Sequence, residues 1–125
     1  MNAEIRSEKI SGCVSNNKET RKDFSETFAS IGKILFQVNS AKDIVKSTPG
    51  FDELFSKAKA YSQYLAMKRF ECRNCVDFRF EIDKAIEAIE CYQSEIRQGR
   101  DGDEWLKTAR ERIRGVNERL KGWCA

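Results

Sequence analysis

From Leu106 to the end of the chain the apolar residues fall at Leu106, Ala109, Ile113, Val116, Leu120 and Trp123, alternately three and four positions apart. A repeat of about 3.5 residues keeps side chains on one face of an α-helix, whereas a strand would scatter them over both faces. The same spacing runs through Phe24, Phe28, Ile31, Leu35 and Val38, and Ile34, Ala41, Ile44 and Val45 widen that stripe. A stripe this wide faces a core. Pro49 is the only proline among 125 residues, and there are seven glycines. So few breakers argue against a many-stranded β fold. The sequence therefore predicts an all-α protein, an antiparallel helical bundle of three long helices, or four if the central helix breaks near residues 73–79.

The first helix is expected over about Thr20–Lys46. Before it, residues 1–18 are polar and lack a period, so they read as a flexible or loosely docked arm on a single domain of residues 19–125. Ser47-Thr48-Pro49-Gly50 is the first punctuation. Thr48 can cap the next helix and Pro49 suits its first turn. Leu54, Ala58, Tyr61, Leu65 and Cys72 then share a face, with Phe55 beside them. From Cys75 to Ile82 apolar and polar residues alternate as in a strand. A lone strand in a helical chain would leave its backbone groups unpaired, so helix is the better reading. One continuous helix from about residue 50 to 98 would be roughly 73 Å long. A bend or turn near residues 73–79 would instead give a four-helix bundle. No glycine or proline lies there, which favours helices that stay continuous or merely bend. The stripe resumes at Phe78, Ile82, Ile86, Ile89 and Ile96 and stops at Gly99-Arg100-Asp101-Gly102. Asp101 and Glu104 have the spacing of a capping box.

Several chemistries are closed to this chain. It has no histidine, so Ser-His-Asp and Cys-His catalysis and histidine metal sites are excluded. Gly-x-Gly occurs nowhere, and Asp101-Gly102-Asp103-Glu104 is too short for a calcium loop. No enzyme is expected. A cysteine nucleophile without histidine would need a neighbouring cation, and Arg73 and Arg79 stand nearest Cys75. The N-terminus lacks an apolar signal segment, and no apolar run approaches the roughly 18 residues that span a bilayer. A cytoplasmic protein without a membrane partner is expected, with reduced thiols as the default.

Five cysteines make an odd set. Cys72 and Cys75 have C-x-x-C spacing. With turns near residues 48 and 100, Cys72, Cys75 and Cys124 would approach one region of the bundle, and Cys13 in the arm could reach it. Burial as small apolar side chains, a Cys75–Cys124 disulfide and a zinc ion held by Cys13, Cys72, Cys75 and Cys124 are the three readings. No other cofactor is expected.

Charge is uneven. Residues 105–125 carry +4, through Lys107, Arg110, Arg112, Arg114, Arg119 and Lys121 against Glu111 and Glu118. Residues 81–96 carry −4. A turn near residue 100 sets Glu90 level with Arg110, Glu81 with Arg119, and Asp83 between Arg114 and Lys121. Interhelical ion pairs are the structural reading of that match. The functional alternative is a nucleic-acid interface of Lys107, Arg110, Arg114 and Lys121. Among the aromatic residues, Phe36, Tyr64, Phe70, Tyr92 and Trp105 fall off or at the margin of the stripes. They are the candidate contacts for a protein partner. The expected role is a small cytoplasmic helical interaction module, adaptor-like and non-enzymatic, that binds a protein partner or self-associates as a homo-oligomer. The alternative is a nucleic-acid-binding regulatory protein using the basic C-terminal helix.

Overall fold

The computed structural model describes residues 18–37, 49–67 and 73–124. They form four helices: α1 (Lys18–Gln37), α2 (Pro49–Met67), α3 (Arg73–Arg97) and α4 (Asp103–Cys124). There is no strand among the described residues. Each helix packs on the next, and α4 also packs on α1, so the four close into a ring around one core.

The expected three-helix arrangement gives way to four because the long central helix is not continuous. The Phe24 ring stacks on Tyr61 of α2 at 4.1 Å and on Phe78 of α3 at 5.9 Å. On one straight helix those two rings would stand about 25 Å apart and could not share a neighbour. α2 ends at Met67 and α3 starts at Arg73, so residues 73–79 are helical and the break precedes the expected interval, with no glycine or proline to mark it. Folding back lets α2 and α3 bury their stripes on the same core, which one long rod could not do. The alternating segment 75–82 is helical. Cys75, Phe78 and Ile82 are buried, and Phe80 is left 63% exposed. Residues 1–17, the expected arm, and 38–48, the expected end of the first helix, lie outside the described residues; Lys18 already belongs to α1.

Pairs across the ring fix its directions. Arg110 donates from Nε to the Leu35 carbonyl at 2.6 Å, and Asn117 from Nδ2 to the Phe28 carbonyl at 3.1 Å. Numbers fall along α1 as they rise along α4, so these two helices run in opposite directions. Ser62 donating to Asp83 and Lys59 pairing with Glu90 at 3.1 Å show the same for α2 and α3. Between α3 and α4 the chain reverses in a tight turn. The Gly99 amide donates to the Ile96 carbonyl and the Arg100 amide to the Glu95 carbonyl, with Gly99 at φ 75°. This is the Schellman helix stop, whose left-handed residue is usually glycine. Asp101 then accepts from the Asp103 amide at 2.9 Å to start α4. The Glu104 half of the anticipated capping box does not appear among the hydrogen bonds of the described residues.

α3 and α4 present matching faces. Cys75, Phe78, Ile82, Ala85, Ile89 and Tyr92 are buried, alternately three and four apart, as are Leu106, Ala109, Ile113, Val116 and Leu120. α1 adds Phe24, Phe28, Ile31 and Leu35; α2 adds Phe51, Phe55, Ala58 and Leu65. No helix among the described residues is long and apolar enough to cross a membrane.

Candidate functional site

The α1–α4 seam brings together residues from both candidate sets. Phe36 lies one residue past Leu35, the last fully buried residue of α1, and its ring is 46% exposed. The guanidinium carbons of Arg114 and Arg110 stand over that ring at 5.1 and 5.8 Å. Arginine at such distances is held by the negative face of the aromatic ring, and the exposed Arg114 keeps its N–H edge for another acceptor. Arg110 is further fixed by its bond to the Leu35 carbonyl. Lys33, one turn before Phe36, and Lys107, one turn before Arg110, are exposed on the same side. The acids of α1 lie elsewhere: Asp23 and Glu26 line a recess against α2 with Lys57 and Tyr61. Lys33, Lys107 and Arg114 make no ion pair among the described residues. The seam is thus a cationic strip with an aromatic ring at its centre.

This overturns part of the expected ion pairing. Glu81 does meet Arg119, at 2.7 Å. Glu90 instead pairs with Lys59, and Asp83 with Arg79 at 3.5 Å and with Ser62. The reason is geometric. In a four-membered ring each helix shares one edge with each of two neighbours. The Asp83 and Glu90 edge of α3 faces α2, while the Arg110 and Arg114 edge of α4 faces α1. Lys121 lies about 16 Å along α4 from Arg110, too far to join Phe36.

The other aromatic candidates divide. Trp105 is 36% exposed near the start of α4. Tyr64 is only partly exposed and packs against the core. Tyr92 is a correction: it is fully buried and belongs to the core face of α3. Its spacing from Ile89 and Ala85 is the signal that marks it so. Phe70 lies outside the described residues, whereas Met67 and Phe80, 77% and 63% exposed, were not singled out.

Burial pushes the Tyr92 hydroxyl well above the usual phenol range, and the nearby Asp52 carboxylate adds to the shift. That hydroxyl has no hydrogen-bond partner among the described residues. Tyr92→Phe is therefore expected to keep the fold and raise stability by up to about 1 kcal/mol in urea unfolding near pH 7. An acid held above its unfolded pKa leaves stability intact below about pH 10 and erodes it as pH rises further. The advantage of Tyr92→Phe should therefore widen between about pH 9 and 11. A lower urea midpoint for the variant at both pH values would refute this account.

Of the four zinc candidates, Cys75 is buried in the apolar core. Cys13, Cys72 and the Cys124 side chain lie outside the described residues. Among those described, no group of three or more metal-ligating residues converges. Comparison of the chain with family models, curated proteins and solved structures returned no match.

Proposed function

We propose that this chain is a small, non-enzymatic helical interaction module that binds an acidic segment of a protein partner along the α1–α4 seam. The carrying observation is Phe36, half-exposed and bracketed by Arg110 and Arg114. The Phe36 ring offers apolar area, and the Arg114 guanidinium offers a planar N–H fork that suits carboxylates. A cytoplasmic setting and an adaptor role fit this reading. Zinc at the cysteines is a separate proposal, tested by metal analysis of chain purified without chelator.

A nucleic-acid ligand is the second reading, favoured by the lack of ion pairs at Lys107, Arg114 and Lys121 among the described residues. It ranks lower because arginines already occupy the approach to Phe36 that a stacking base would need.

The test is fluorescence anisotropy with a labelled peptide of alternating glutamate and leucine and, in parallel, a labelled single-stranded oligonucleotide. Peptide binding should weaken about tenfold in Phe36→Ala and in Arg114→Glu, the scale of one desolvated contact. Lys121→Glu should change it little. Stronger oligonucleotide binding that weakens equally in Lys121→Glu would replace the first reading with the second. Binding of neither probe would remove both.

A further inference from the structure

The outer face of α3 carries a pattern that the seam does not use. Phe80 is 63% exposed although it sits in the first half of a well-packed helix. Three residues before it is Asp77 and four residues after it is Lys84. Helical spacing puts all three on one side of α3, away from the core residues Phe78 and Ile82. Asp77 and Lys84 are exposed and make no ion pair among the described residues. Beside Phe80 is a recess of about 110 Å³ lined by Val76, Arg79, Phe80 and Asp83. The face thus holds a protruding ring, a hollow at the same level, and one charge of each sign on either side.

We infer that this face binds a second copy of the chain, with the two α3 helices antiparallel and crossing beside Phe80. The charge pattern selects both occupant and direction. In an antiparallel pair that crosses between Phe80 and Glu81, residues whose numbers sum to 161 stand level. Asp77 then faces Lys84 of the second copy, and the two-fold axis repeats the pair. A parallel pair would set Asp77 on Asp77 and Lys84 on Lys84, which is repulsive. Each Phe80 ring reaches the hollow beside the other. A closed apolar cavity of about 150 Å³ accepts benzene, so a half-open hollow of about 110 Å³ admits most of a phenyl ring. A single helix pair covers less than the roughly 800 Å² per partner of a standard interface. The dimer is therefore weak and concentration-dependent. It uses a different face from the α1–α4 seam and does not rest on the function proposed there.

Sedimentation equilibrium of the full chain, in reductant and at about 0.1 M salt, tests it over about 10 µM to 1 mM. The mass should rise above the 14.4 kDa of one chain towards twice that value. Phe80→Asp should remain a monomer throughout, with unchanged helical circular dichroism. Asp77→Lys and Lys84→Asp should each weaken association about tenfold, by setting like charges opposite one another. The double variant Asp77→Lys with Lys84→Asp should recover wild-type association. A monomer at every concentration overturns the inference. So does a double variant no better than the singles, or association that survives Phe80→Asp. Loss of self-association in Phe36→Ala but not Phe80→Asp would move the contact to the seam and equally refute it.

Discussion

Phe24→Ala is expected to destabilise the protein by about 3–5 kcal/mol, a large part of the stability of a domain this size. Phe24 is 1% exposed and stacks on Tyr61 and Phe78, with Phe28 edge-on at 6.4 Å. One ring thus joins α1, α2 and α3. Removing it opens a cavity whose walls belong to three helices that cannot all move inward together. Phe28 lies one turn away and meets the same two rings at 6.1 and 6.4 Å. Phe28→Ala should therefore cost a similar amount, and the double variant less than the sum. Urea unfolding followed by circular dichroism measures all three. A loss below about 1 kcal/mol for Phe24→Ala would show that the aromatic cluster does not hold the ring of helices together.

Gly32→Leu is expected to cost about 2–3 kcal/mol by forcing α1 from α4. A Cβ at Gly32 would meet Asn117 Nδ2 at 3.1 Å and Ile113 Cγ2 at 3.2 Å. The bare Cα also leaves the Phe28 carbonyl, one turn earlier, open to the Asn117 amide. A leucine would both overpack the seam and cover that acceptor. Gly32→Ala differs in kind. It gains up to about 1 kcal/mol of helix propensity against a contact that needs only a few tenths of an ångström of yielding. Its net change should stay within about 0.5 kcal/mol. Thermal and urea unfolding of both variants decide the point. Equal effects would mean that the space at Gly32 is not what sets the helix separation.

Much of the fold was legible because the described members of the first and last stripes obey one rule. Leu106, Ala109, Ile113, Val116 and Leu120 are all buried, as are Phe24, Phe28, Ile31 and Leu35. Pro49 opens α2 as its chemistry demands, and Gly99 ends α3. The stripe on α3 was harder to read, because three of its six members are Cys75, Ala85 and Tyr92. Weighting only large aliphatic residues passes over them and promotes Ile86 and Ile96, which are merely packed against the core. The break before Arg73 had no local mark. It follows from what α2 and α3 must both touch, and that is a tertiary fact. The candidate site was half legible. Phe36, Arg110 and Arg114 each stood out, but as members of different sets. Their meeting depends on which neighbour lies along each edge of α4, which changes when three helices become four.

The antiparallel seam between the first and last helices also sets how the molecule yields to force. Lys18 and Cys124 stand at the same pole of the bundle, since α1 begins where α4 ends. Tension applied at those two points does not shear the helices past each other. It peels them apart from that pole, so each contact carries the load alone and in turn. The Asn117 bond to Phe28 is reached first, then the tight passage at Gly32, and last the Arg110 bond to Leu35 beside the ring of Phe36. Opening by such a zipper needs little force. The cationic strip would be the last part of the seam to come undone.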